Sequence, residues 1–181
     1  MPPLTFHDVA LQPVLFGLKN ARAFISKAHD HTQTAGIDPT VYLSARLHPN
    51  MLDFTTQVCL FTHHAAIIPT HLNPGYKKLE LREEETGFSG LLERIEKVIS
   101  YLESIEAVTL EGREDEEVEL KLRKVKLEVA YGGSEYVMEY AHPNFWFHLT
   151  TAYNILRMKG MEVGKLDFLN GTGLRTFKVL G

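Results

Sequence analysis

Four stretches of this chain repeat apolar residues at the spacing of a helix, and one repeats them at the spacing of a strand. In residues 5–34, Val14, Leu18, Ala21, Ile25 and Ala28 recur three or four apart. Thr5, with Asp8 three residues on, is a helix start, and Pro13 predicts a kink or a late beginning. A second helix is expected over 50–68, opened by Pro49, with Met51, Phe54, Val58, Phe61, Ala65 and Ile68 on one face. A third spans 88–106, striped by Leu91, Leu92, Ile95, Val98, Ile99 and Leu102. The last starts near Pro143 and stops near Gly160. Between the third and last helices, residues 117–140 alternate apolar and charged residues: Val118, Leu120, Leu122, then Val125, Leu127, Val129. The Gly132-Gly133 pair reads as a turn, so this segment is expected to be a β-hairpin or a pair of short strands. A lone hairpin is marginal in water and must pack on the helices. The expected fold is mainly α: an up-down four-helix bundle with a hairpin inserted before the last long helix, in a single domain over 1–181.

Composition narrows the function. Charged residues are 23% of the chain and its net charge is −4. A mildly acidic chain is poorly suited to neutralising phosphates, so nucleic acid is not an expected partner. The basic run "KLRKVK" (121–126) alternates with apolar residues beside "EGREDEEVE" and reads as a solvated strand face. The single cysteine, Cys59, cannot form an internal disulfide and sits in a helical stretch as a small apolar filler. Neither a signal peptide nor a membrane-length apolar run is visible, so the expected setting is the cytoplasm, away from membranes. No phosphate-cradling glycine loop, nucleophile elbow or zinc-type cysteine pattern is present.

Three motifs carry a family resemblance: "LKNARAFISKAHDH" in the first helix, "LHPNMLDFTTQV" opening the second, and "PNFWFHLTTAYNILRMKGMEVGKLDFL" near the end. In this order they resemble a family of uncharacterised fungal and bacterial proteins. That family is classed, as a domain of unknown function, among the DinB/YfiT-like helical bundles. The resemblance implies a four-helix bundle, often a homodimer, with a divalent metal (zinc, nickel or manganese) held by three histidines. One comes from the second helix and two from a His-x-x-x-His pair on the last. Relatives with this site include thiol-S-transferases and maleylpyruvate isomerase-like enzymes. This chain departs from the pattern: four residues after His148 stands Ala152, and Met158 follows the Arg of "ILR". His148 and His64 are then the candidate metal ligands, with Gln57 at a matching position on the second helix.

Helical geometry ranks these residues independently. Phe145, Leu149, Ala152 and Leu156 define the buried face of the last helix, and His148 lies roughly 50° from its centre. On the second helix, Gln57 and His64 fall roughly 60–80° from the apolar centre, while His63 points away. Asp53, one turn before Gln57, shares its flank; in the first turn it would also complement the helix dipole. Trp146, with Phe145 and Phe147, anchors the helix start or stacks on a ligand. Asn154 and Arg157, on the other face, are expected to bond the hairpin or tail. His7, His29, His31, His48, His71 and His142 read as surface residues.

Two functions stay open. One is a bundle binding a small molecule, with or without a divalent metal, in a polar cavity formed by Gln57, His64, His148 and Tyr153, with Asp53 and Trp146 as further ligand-binding candidates. There His148 is a candidate general base, since a neutral imidazole takes protons near neutral pH. The other is a non-catalytic dimeric module with a degenerate metal site. Whether the chain is an enzyme is not decided by its residues.

Overall fold

The computed structural model describes residues 3–81, 85, 87–122 and 126–176. Its helices are α1 (Phe6–Ala35), α2 (Thr40–Leu43), α3 (Phe54–Leu72), α4 (Gly87–Glu103), α5 (Gly133–Glu135), α6 (His142–Met158) and α7 (Lys165–Asn170). A hairpin of β1 (Glu117–Leu122) and β2 (Leu127–Gly132) stands between α4 and α5. None of these helices is long and apolar enough to cross a membrane.

The first helix begins where its cap predicts. Thr5 Oγ1 accepts the Asp8 N–H, and the Asp8 carboxylate accepts the Thr5 N–H, both at 3.1 Å. Pro13 does not break α1, which runs through it to Ala35. The carbonyl left without a donor belongs to Val9, on an exposed stretch where water can reach it.

The second long helix starts four residues later than its apolar pattern suggests. Asp53 is the cap rather than a first-turn residue. Its Oδ1 accepts from Thr56 N at 2.9 Å and Thr56 Oγ1 at 2.6 Å, and its Oδ2 pairs with Arg46 at 3.1 Å. An extended Asp53 holds residues 50–52 outside the helix. The helix also continues past Ile68 through Pro69 to Leu72.

The four long helices form a ring in the order α1, α4, α3, α6, with the packing of α3 on α6 the most extensive. The successive long helices α1 and α3 lie across a diagonal. The buried faces meet in one core that includes Leu18, Phe24, Phe61, Leu91, Ile95, Phe145 and Leu156.

The hairpin is antiparallel and pairs Val118 with Tyr131 and Leu120 with Val129. Val118 and Leu120 are buried against the bundle, while Leu127 is exposed. Val125, expected on the same face, lies outside the described residues, as do Arg123 and Lys124 of the basic run. Leu122 pairs with Leu127, and the glycine pair stands at the far end of β2, where Glu117 pairs with Gly132. Residues 133–141 are helical rather than extended: α5 leads into a π-helical turn, Tyr136–Ala141, which joins α6. The glycine serves a close approach instead. A Cβ on Gly133 would lie 2.1 Å from the Arg113 carbonyl oxygen, and Ser134 N–H bonds the Glu114 carbonyl at 2.7 Å. By contrast, a Cβ on Gly132 would meet nothing closer than 3.6 Å.

These contacts separate the two glycines experimentally. Gly133→Ala is expected to destabilise the protein by about 2 kcal/mol or more, from overpacking against backbone. Gly132→Ala should stay within about 0.5 kcal/mol of the parent. Urea denaturation measures both, and equal effects would contradict this junction.

Candidate functional site

The α3–α6 seam brings His148, Gln57 and His64 together. Gln57 Nε2 donates to the Leu52 carbonyl at 3.2 Å, which orients the amide. Its Oε1 then faces His148 Nδ1 at 2.7 Å. An amide oxygen can only accept, so His148 carries its proton on Nδ1 and leaves the Nε2 lone pair free in the neutral ring. Burial holds His148 below the ordinary histidine range, which keeps that neutral form at pH 7.

His64 lies beside it, the two rings nearly parallel (8°) with centroids 5.5 Å apart. Its Nδ1 is buried without a hydrogen-bond partner. Burial first, then the neighbouring His148, His63 and His71, lowers its pKa from 6.5 to about 4. The site is therefore two half-buried neutral imidazoles, one with a fixed tautomer.

Aromatic rings extend from this pair along the π-helical turn. Tyr140 meets His64 edge-on at 6.2 Å and stacks on Tyr136 at 6.0 Å. The buried Tyr136 hydroxyl is hydrogen-bonded to His71 Nδ1 at 2.8 Å. Burial raises the pKa of both tyrosines, so they remain protonated phenols. π-turns recur at functional sites, and here one turns Tyr140 toward His64. Tyr136, Tyr140 and His71 were not among the sequence candidates. Their signal, two tyrosines four apart in "EYVMEY", was masked by a pattern that also fits a strand.

The other sequence candidates lie elsewhere. Asp53 is occupied as the α3 cap and by Arg46. Tyr153 donates to the Val163 carbonyl at 3.3 Å and packs edge-on against Phe24 and Phe168. Trp146 packs on Phe145 and Phe168. Both belong to the contact of α6 with α1 and the tail, not to the histidine pair. Arg157 bonds the Met161 carbonyl in the tail, as its face predicts. Four of the expected surface histidines are packed. His7 and His142 donate to the carbonyls of Ile105 and Ala10, each at 2.9 Å, His71 holds Tyr136, and His29 lies against Phe88. Contacts from distant elements bury them, and no local pattern carries that information.

The chain matches, over residues 6–169, the family model described as a domain of unknown function, DUF1993. The protein belongs to that family. A solved structure, a DinB family member protein from Shewanella denitrificans, shares 28% identity with it. The match covers 96% of this chain and 95% of that one, with a TM-score of 0.81. The DinB-like bundle is thus the fold of this DUF1993 chain. No curated protein matches it.

A three-histidine metal centre does not fit these residues. Ala152, where a second ligand would stand on α6, is fully buried. Among the described residues no group of three or more His, Cys, Asp or Glu side chains is placed to hold a metal ion. Gln57 instead holds His148 as an outer-shell acceptor holds a metal-bound histidine, fixing its ring without supplying a ligand.

The geometry has two measurable consequences. Gln57→Leu should leave the His148 Nδ1–H unpaired and destabilise by about 1–3 kcal/mol. It should also mix the two His148 tautomers, which long-range ¹⁵N NMR resolves. His64 protonates more readily unfolded than folded, so its neutral form contributes full stability above about pH 6.5. That contribution, roughly 3 kcal/mol, is lost as pH falls from 6.5 toward 4. His64→Leu should flatten this limb of a urea-midpoint profile, and an unchanged acid limb would argue against a depressed His64.

Proposed function

We propose that this protein is a small-molecule-binding helical bundle whose His64–His148 pair receives a protic group of the ligand. The observation that carries this reading is the 2.7 Å bond from His148 Nδ1 to Gln57. It presents Nε2 as an acceptor of fixed direction. A phenol, thiol or carboxylic acid would place its hydrogen on that lone pair. If the bound group loses its proton, Nε2 of His148 is the atom that takes it, which is general-base chemistry. His64 supplies a second neutral ring, and Tyr140 an adjacent aromatic wall. No metal is required for these steps.

One observation supports a second reading, a non-catalytic dimeric module with a degenerate metal site. Ala152 replaces a ligand, and no third ligand joins His64 and His148 among the described residues.

The two readings are separated by ¹³Cε1–¹H NMR of the histidines during titration with small phenols and thiols. Binding should shift His148 and His64 together and saturate, and His148→Ala should abolish it while helical circular dichroism is kept. Untagged protein should contain no stoichiometric zinc, nickel or manganese. Histidine signals indifferent to every probe, in a protein that stays dimeric at micromolar concentration, would favour the second reading.

A further inference from the structure

A cavity of about 440 Å³ lies on a different face of α3, between that helix, α4 and the non-helical strap at 78–81. Its size falls within the range of small-molecule sites, on the order of 300–1,000 Å³. The floor is unusual. Arg94, on α4, is buried and its guanidinium is held in place by Thr62 Oγ1 at 2.7 Å and the Cys59 carbonyl at 3.3 Å. Glu85 pairs with it at 3.6 Å, and both side chains are less than one-tenth exposed. Glu85 is not part of the cavity wall, whereas Arg94 is. A buried ion pair contributes little net stability beside a well-packed apolar alternative, so retaining one next to open volume needs another reason.

The strap is tethered on both sides of the cavity. Tyr101 on α4 donates to the Lys77 carbonyl at 2.9 Å, and Glu85 is anchored to Arg94. The tethers keep the space from collapsing. Lys78 lies on the wall, exposed and without an ion pair among the described residues. His63 lines the same side, and Leu60, Ile67 and Leu79 supply apolar wall. Among the described lining residues Glu80 is the one carboxylate and Lys78 the cation without an ion pair, Arg94 being already paired with Glu85.

We propose that this cavity is a second ligand site, distinct from the His64–His148 pair, for a small carboxylate with an apolar body. The carboxylate would lie toward Lys78, Arg94 and His63, and the apolar body against Leu60, Ile67 and Leu79. The field at His63 agrees with this polarity: after burial, the charges that lower its pKa are Arg94 and Lys78. The Cys59 thiol, raised by burial, stays a neutral part of the wall.

Calorimetric titration of the full chain with octanoate, octanol and octylamine tests the assignment. Octanoate should bind with a stoichiometry near one, and at least tenfold more tightly than octanol or octylamine. Lys78→Gln, at an exposed position, should weaken octanoate at least tenfold. Ile67→Trp, which fills the cavity, should abolish binding. His148→Ala should change nothing, which keeps this result separate from the fate of the histidine-pair reading. No octanoate binding, equal binding of the alcohol or amine, an unaffected Lys78→Gln, or a loss in His148→Ala would each overturn the proposal. If Ile67→Trp does not fold, Lys78→Gln and His148→Ala decide.

Discussion

The seam between α3 and α6 is the constraint on which the rest of the molecule depends. Phe61 and Phe145 meet edge-to-face across it at 6.0 Å, both fully buried. Each ring is worth about 1.5–3 kcal/mol in burial. Phe145 and Trp146 also press on α1 at Gly17, where a Cβ would lie 2.7 Å from the Phe145 ring. One aromatic pair therefore fixes α6 against two neighbours at once. The Gln57–His148 bond rides on this packing: its length and direction are set by rings that do no chemistry. A histidine with one defined tautomer is a product of the core, extended to its edge.

That dependence explains what could be read from residues alone. The stripes of α1 and α4 were legible, because Val14, Leu18, Ala21, Ile25 and Ala28 repeat at the helical period and are all buried. The inward direction of His148 and the nearness of Gln57 and His64 followed from the same helical arithmetic and the family resemblance. Helix ends were less legible. Met51 continues the apolar pattern of α3, but the Asp53 side chain competes for the backbone and wins. Residues 133–140 misled for a different reason. Their alternation fits a strand, yet Gly133 must pass close to the Arg113 carbonyl, and that contact comes from another part of the chain. Trp146 and Tyr153 share α6 with His148 but face α1 and the tail, a difference of side around one helix. The buried Arg94 gave no local signal, because its partners Thr62 and Glu85 lie on other segments.

The chemistry of the site follows from what is missing as well as from what is present. Two imidazoles beside each other in a half-buried setting cannot both hold a proton cheaply. Burial keeps both neutral, reinforced at His64 by its histidine neighbours, and the orphaned Nδ1 of His64 stays an unanswered polar atom. Partnered with a third ligand, such a pair would lean toward metal. With Ala152 in place of that ligand, we propose that the same pair serves as a hydrogen-bonding surface.

The order of helices around the ring has a bearing on time as well as on shape. Only α3 and α4 are both neighbours in the ring and successive long helices in the chain. Every other face of the bundle joins segments far apart in sequence, α1 with α6 most of all. Closing those faces must overcome the loop entropy of long intervening stretches before burial rewards it. An α3–α4 pair can collapse early and locally, while α6, with His148 on it, docks only when most of the chain is already in place. The bundle is thus built with a high contact order for a helical protein, and its folding belongs toward the slow end for that class. The candidate site joins α3 to α6, so it forms only when that non-local face closes.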